Sequence, residues 1–459
     1  MSGAAPPFKR LEAIIHLHSN FSFRGDYSPG RIVELAEEKG IEVVLFTDDA
    51  WVKFSYGLFP FRRILNFSVQ KDSVFKLGLH RYLSEIDRVQ QDHPNSLVFP
   101  GLEVIPFYYW EKSPFTFHGI IRDVNKHLTL FGLNEEGFRS LPLAGRSLLP
   151  LKPFRWRDLF RLWGVIPLVL AIYLFRRSSR WSEGAGLVLL IVGGIALIEN
   201  YPYRDPAVTI YGPEGKTLPY QRLIDDVRGK GGLVFWAHPE GKTIPYEAGP
   251  VTFLTDPYPE ALKETDGYTG FAILFEGMKT IGVPGGIWDQ LLNDYCQGKR
   301  KEPIWATGEL DYTSEGRSGT WIDTVKTVLY CRQKDHEGVF EALRHGRMYA
   351  MRRSRERELL LDEMWVGEEG GKTGFLGEEI TLSKNPKIHF ALSSSDGYSE
   401  KVQVRIIRSG EILQDLELRT PIRFTYQDPE RKEGKFFYRL EVTGDDRRIL
   451  TNPVFVELQ

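Results

Sequence analysis

A parallel α/β sheet or barrel, interrupted by two apolar helices and followed by an all-β module, is the fold class this 459-residue sequence predicts. Three observations predict it. Short, wholly apolar runs alternate with helical stretches in both halves of the chain, the mark of strands buried on both faces. Two uncharged runs, 162–175 (LWGVIPLVLAIYLF) and 184–198 (GAGLVLLIVGGIALI), lie between those halves. From about Glu356 onward, apolar and polar residues alternate with period two.

The elements follow in order. Residues 12–18 (EAIIHLH) form an apolar strand that ends in polar residues. Ser28-Pro29 opens a helix over 31–39, because proline suits a first helical turn, and Gly40 stops it. Residues 41–47 (IEVVLFT) read as a second buried strand, and 96–104 and 127–133 as two more. Beyond the apolar pair, 219–228 is helical and 229–232 ends it. Strands follow at 233–237 (LVFWA), 271–275 (FAILF) and 303–307, with a helix over 287–299 between the last two and another over 336–347. Stretches 387–392, 401–407 and 422–426, with a last hairpin of 436–442 and 449–458, make a β-rich module expected to be a sandwich. The division is then 11–150 and 205–353 for one interrupted α/β domain, 158–201 for the helical hairpin, and 356–459 for the β-module.

Composition narrows the function. Lys and Arg number 59 against 61 Asp and Glu, a net charge of -2, which argues against a nucleic-acid surface. Two cysteines, Cys296 and Cys331, cannot build a disulfide scaffold or a thiolate zinc site. The mean hydropathy of -0.28 suggests a soluble protein, yet an average conceals a local concentration. Each apolar run lacks a polar face, has aromatic residues near its ends, and leaves the intervening charge to RRSSRWSE. The reading is a two-span transmembrane hairpin; the alternatives are an interfacial or re-entrant hairpin and a buried helix pair. The opening residues MSGAAPPFKR do not read as a secretory signal. Residues 1–150 are therefore expected in the cytoplasm. A hairpin returns the chain to the side it left, so both soluble parts are expected on the cytoplasmic side of an inner membrane.

Polar residues recur at the strand ends, where α/β folds build their sites. His16 and His18, two apart on a strand, share a face and can grip one cation. Glu103, His127, His238 and Asp311 each follow or begin a predicted strand. Imidazole and carboxylate together suit zinc, manganese or iron, and a bridging carboxylate can hold two ions.

The segments HLHSNFS, SPGRIVELAEEKGIEVVLFTDD, GLEV, KHLTLFG, GKGGLVFWAHPE and ATGELDYT resemble, in order, the motifs of the PHP (polymerase and histidinol phosphatase) superfamily. The tail beyond GVFEALRHGRMYA resembles the subgroup in which a β-rich module follows. The resemblance implies a distorted (β/α)7 barrel with a metal-dependent phosphoesterase site at its mouth. It implies His16, His18, Glu103 and Asp311 on one metal and Glu103, His127 and His238 on a second, with His118 an alternative to His127. Three departures stand out: SFRGD places Phe23 or Arg24 where the family often has an acidic residue, and Thr47-Asp48-Asp49 and Asp311-Tyr312-Thr313 each lack the family's closing histidine. Two ions rather than three are expected, although Asp26 and Asp49 remain available as carboxylate ligands and Asp48 as a support for one. No catalytic side chain apart from a metal-activated water is expected, and Arg24 is a possible contact for a substrate phosphate.

The expected function is a membrane-anchored hydrolase of a small phosphate ester. The alternatives are a non-catalytic metal- or ligand-binding sensor and a carboxylic-ester or amide hydrolase on the same barrel. No nucleic-acid partner is expected, and the sequence names no protein partner for the β-module.

Overall fold

The computed structural model describes residues 8–58, 62, 65–111, 119–143, 154–177, 179–201, 210–213, 215–274, 276–354, 357–368 and 370–459. The architecture is mixed α/β, with several sheets around two apolar cores.

Strand β1 (Lys9–Leu17) is buried from Ala13 to its end. The Ser28 hydroxyl accepts from the Arg31 amide and starts the helix Pro29–Glu38, and Gly40 ends it at φ 71°. β2 (Val43–Phe46) lies parallel to β1 and continues past Thr47 as β3 (Asp48–Asp49). The chain then makes a hairpin of β4 (Lys53–Gly57) and β5 (Asn66–Gln70). The run expected as one strand over 96–104 is two, β6 (Leu97–Phe99) beside β2 and β7 (Gly101–Val104) beside β3. Pro100 separates them because it has no N–H to give a ladder.

After β7 the chain stays at the same end of the sheet, as β8 (Tyr109–Trp110) and β9 (Gly119–Arg122), before it descends as β10 (Leu128–Phe131). β10 is therefore antiparallel to β7 and to β11 (Leu233–Trp236), a correction to the all-parallel expectation. β12 (Tyr246–Ala248) and β13 (Val251–Leu254) return to the small sheet of β8 and β9. β14 (Gly270–Leu274) and β15 (Trp305–Gly308) continue the larger sheet in parallel. Beyond β15 the chain meets the first strand again. Leu310 N donates to Ile15 O at 3.1 Å, Tyr312 N to His16 O at 3.0 Å, and His18 N to Tyr312 O at 2.8 Å. Apolar stripes of helices pack outside, among them Leu79–Asp92, which the sequence reading did not anticipate.

β16 (Val325–Cys331) lies antiparallel to β1, and β17 (Met348–Arg352) antiparallel to β16. The β-rich region follows as β18 (Leu359–Gly367), β19 (Thr373–Gly374), β20 (Glu379–Leu382), β21 (Lys387–Ser394), β22 (Lys401–Arg408), β23 (Glu411–Arg419), β24 (Ile422–Gln427), β25 (Gly434–Gly444), β26 (Arg447–Thr451) and β27 (Val454–Leu458). One sheet there is β19-β18-β21-β24. The other is continuous with β1 through the β17–β26 pair, so a single sheet runs from the α/β part into the β-rich part.

Among the described residues, two helices of 20 residues each, Trp156–Phe175 and Arg180–Glu199, are long and apolar enough to cross a membrane. At about 1.5 Å per α-helical residue, and about 2.0 Å over the 3-10 stretch Trp156–Gly164, each spans roughly 30 Å or more. Only 22% and 17% of their most apolar stretches are buried, which corrects the alternative of a buried helix pair. Small residues face inward: a Cβ on Gly193 would stand 2.7 Å from Gly164 O, and one on Gly186 2.9 Å from the Phe175 ring. Large side chains such as Ile166, Val169, Val188 and Ile191 face outward.

Candidate metal centre

The predicted ligands converge on Glu103, from strands of two sheets whose ends meet at one rim. His16 and His18 end β1, Glu103 lies in β7, and His238 and Asp311 follow β11 and β15. His127 begins its strand, and the antiparallel course of β10 brings that start to the same rim. Three of the six sit at backbone angles that L-residues rarely adopt: His16 at φ 71°, His238 at 27° and Asp311 at 47°. The register of β1 against β2 slips at His16, which turns that ring out of the ladder and into the site.

Two donor groups result, each with its ligand atoms within 4.8 Å of one another: His16, His18, Glu103 and Asp311, then Glu103, His127 and His238. Glu103 belongs to both. Its Oε1 lies 2.9 Å from His16 Nε2 and 3.5 Å from His238 Nε2, and it contacts His127 Nδ1. Its Oε2 lies 3.4 Å from His18 Nε2. Asp311 Oδ1 stands 3.1 Å from His18 Nε2 and 3.5 Å from His16 Nε2.

Every ring is fixed from behind. His16 Nδ1 donates to Glu309 at 3.1 Å, and His127 Nε2 donates to Val124 O at 2.9 Å. Ser22 gives its own hydrogen to Asp48 and so accepts from His18 Nδ1 at 3.1 Å. Tyr258 gives its hydrogen to Ala237 O and accepts from His238 Nδ1 at 3.2 Å. Each imidazole therefore turns its remaining nitrogen, a lone pair in the neutral ring, toward carboxylate oxygen. Lone pair and carboxylate repel unless a proton or a metal cation stands between them. Among the described residues, buried His16 Nε2 and Asp49 Oδ2 make no hydrogen bond, as atoms reserved for a cation would. The donor set suits zinc, manganese or iron.

The electrostatics agree. Burial pulls the His16 imidazole down, but Glu103, Glu309 and Asp311 outweigh it and hold it well above its usual value. Burial likewise works against charge on Glu103, yet His127, His16 and Arg24 hold that carboxyl well below the usual range. Burial pushes the Asp48 carboxyl up to about 6, against the opposing pull of His18 and of hydrogen bonds from Ser22 and Ser19.

Arg24 reaches into the cluster. Its Nη2 donates to Glu103 Oε2 at 2.7 Å, lies 3.0 Å from His18 Nε2 and stands 3.6 Å from Asp49 Oδ1. Asp49 lies 3.8 Å from His18 Nδ1 at the margin. Asp48 accepts from Ser19 N, Ser19 Oγ and Ser22 Oγ, and so supports His18 rather than facing the rings. Asp26 is a correction: its half-exposed carboxylate faces Arg317 at 3.6 Å, outside both donor groups. The cause is the turn at Gly25, where a Cβ would stand 2.1 Å from Ser19 O; the tight turn sends Arg24 inward and Asp26 outward. His118 lies outside the described residues. Sequence reasoning missed Glu309, Ser22 and Tyr258 as the groups that orient the rings. Glu309 had a signal in its place beside Asp311, whereas Tyr258 had none. A cavity of about 240 Å³ opens beside the cluster, lined by His16, His238, Glu276, Glu309, Asp311 and Arg317.

No protein-family model and no curated protein matches the chain. A solved structure from Bacteroides vulgatus ATCC 8482, a two-domain protein containing a predicted PHP-like metal-dependent phosphoesterase, is similar over 96% of this chain and 92% of that one. The sequence identity is 12% and the TM-score 0.36, so the two architectures correspond only loosely.

Proposed function

We propose that this chain is a membrane-anchored, metal-dependent phosphoesterase of the PHP type, holding two divalent ions. The observation that carries the reading is the orientation of four imidazoles, each fixed from behind and aimed at Glu103 or Asp311. His16, His18, Glu103 and Asp311 would hold one ion, and Glu103, His127 and His238 the other. The contacts of residues 310–312 with β1 support a distorted seven-stranded barrel around this mouth.

Divalent ions held there supply positive charge to a phosphoryl group and acidify water. The protein's own residues do the rest. Glu103 belongs to both donor groups and so would tie the two ions together. Glu309, Ser22, Val124 and Tyr258 lock the imidazole tautomers. Arg24 and Arg317 bring guanidinium groups to the cavity edge, where a planar fork suits phosphate oxygens. The exposed apolar faces of Trp156–Phe175 and Arg180–Glu199 support a transmembrane hairpin, which would return both soluble parts to one side, proposed as the cytoplasm.

Full-length protein in detergent should release 4-nitrophenol from 4-nitrophenyl phosphate with Mn2+ or Zn2+, and the His16→Ala/His18→Ala variant should not. Equal rates in both would sink the reading. A second reading, a metal sensor without turnover, draws support from Arg24, whose guanidinium engages the same oxygen and nitrogen that an ion would use.

A further inference from the structure

The segments next to the ligands are built into structure of their own. β4 follows the strand of Asp49, β8 follows that of Glu103, β9 leads into His127, and β12 follows His238. The small sheet β12-β13-β9-β8 and the hairpin β4–β5 therefore stand on the ligand-bearing rim. They hold together: Tyr108 Oη accepts from Ser55 N at 2.8 Å, Trp110 Nε1 donates to Ser55 O at 2.9 Å, and the Phe54 ring packs on Tyr108 and Phe253.

This rim carries an apolar face in the open. Leu65, Phe67 and Val69 alternate along one side of β5, and Phe67 is 69% exposed. Their neighbours across the hairpin, Tyr56 and Phe54, continue the stripe inward. Phe253 extends it to Tyr246, beside Ile244, which is 74% exposed. Alternation of this kind normally selects the buried side of a hairpin; here that side is covered at Phe54 and Tyr56 but left open at Phe67 and Val69.

The chain returning from the apolar helices enters the same rim. Trp110 N donates to Ile210 O at 2.7 Å, Gly57 N donates to Tyr211 Oη at 2.9 Å, and the Tyr56 and Tyr211 rings meet at 5.6 Å. Nine steps separate Tyr201 from Ile210 (210 − 201), so the helix end lies within about 30 Å of the rim. The mouth of the metal centre, the exposed apolar stripe and the re-entry point of the helices thus share one side.

We propose that this rim dips its apolar stripe into the lipid surface beside the hairpin, so that the metal centre opens toward the bilayer. Its substrate is then a phosphate ester displayed at that surface, on a lipid headgroup. The proposal rests on the reading of the helices as membrane-spanning and assigns the rim to lipid in addition. Basic residues flank the stripe as well, Lys53, Arg62, Lys71 and Lys242, while Asp72 is paired with Lys76, so apolar area drives insertion and the flanking cations favour a lipid surface.

Single cysteines at Phe67→Cys, Tyr246→Cys, Val188→Cys and Gln333→Cys, each carrying a bimane probe, test this in full-length protein reconstituted into phosphatidylcholine vesicles. Cys296→Ser removes the accessible native thiol, and buried Cys331 stays. Brominated phosphatidylcholine should quench probes at 67, 246 and 188, and leave the probe at 333, which lies at the opposite end of β1, unquenched. Quenching at 188 alone would overturn the rim's assignment while leaving the anchor standing. No quenching at 188 would remove the anchor and the proposal together. Probes at 67 and 246 that are shielded from bromine and become exposed on dilution would assign the stripe to a second copy of the chain, against the proposal. In the same vesicles, Phe67→Ser/Val69→Ser should lose phosphate release from phosphatidic acid and keep hydrolysis of soluble 4-nitrophenyl phosphate. Equal loss on both substrates would contradict a role in lipid presentation.

Discussion

Two buried polar clusters in this molecule follow opposite rules. At the junction of the α/β and β-rich parts, Arg439 and Asp289 are almost fully buried and matched. Arg439 Nε and Nη2 each donate to a different Asp289 oxygen at 2.7 Å, and Nη2 also reaches Gly282 O. At the metal centre, Glu103, Asp311, Asp48, Asp49 and Glu309 surround one guanidinium, Arg24, and four imidazoles. Acceptors there outnumber fixed cations, and among the atoms that go unbonded, His16 Nε2 and Asp49 Oδ2 can offer lone pairs. In the first cluster one cation faces one anion and the charges cancel, with Arg439 Nη1 alone left without a hydrogen bond, and the pair joins two parts of the fold. The second is complete only with added positive charge, which is the physical signature of a binding site.

The sharpest way to break this contrast is to remove the centre of each cluster. Glu103→Ala takes a ligand from both donor groups and should abolish metal retention through gel filtration, measured as metal per chain. Asp289→Ala leaves Arg439 buried without its partner and should destabilise the fold by about 3–5 kcal/mol in denaturant titration, with phosphatase activity per folded molecule kept. If Asp289→Ala lost metal, or Glu103→Ala destabilised as strongly, the two clusters would not differ in kind.

Arg24→Gln sharpens the comparison within the metal centre. It withdraws a competing cation from Glu103 and His18, so Mn2+ affinity by calorimetry should rise by roughly tenfold. The same variant should lower kcat/KM for a phosphate ester, because the proposed phosphate contact of that guanidinium is lost. Unchanged metal affinity would remove Arg24 from the cluster's charge balance.

The smallest effect concerns a third arrangement, in which Lys326 is held between Glu12 at 2.5 Å and Glu358 at 2.6 Å. Burial works against charge on Glu12, but Lys326 and then Arg10 outweigh it and hold the carboxyl below 4.5. A depressed carboxyl stabilises the fold above its unfolded value and loses that contribution as pH falls through its folded value. The stability gap between wild type and Glu12→Gln should thus be full above pH 4.5 and fade below it, as read by thermal melts across pH. A gap that widened on acidification would reverse the sign.

Much of the α/β part was legible because its strands are wholly apolar and end in polar residues. His16, His18, Glu103, His127, His238 and Asp311 stood out at those ends, and the structure brings them together around one carboxylate. What holds them was not legible. His16 and Glu309 lie 293 positions apart, and Tyr258 has no local signal linking it to His238. The reversed course of β10 follows from the chain lingering at the rim, which no periodicity records. The small rim strands are short and half-exposed or exposed, so they lack the apolar run that marked the others. The apolar helices were legible in character but short in extent, because Trp156–Gly164 carries charge while continuing the first helix.

Metal per chain, measured by mass spectrometry on full-length protein purified without chelator, tests the central claim most directly. The account predicts two equivalents of zinc, manganese or iron in the wild type and none retained by Glu103→Ala. Three equivalents, with one lost on Asp49→Ala, would contradict the two-ion centre, and a metal-free chain that cannot be loaded would contradict the centre itself.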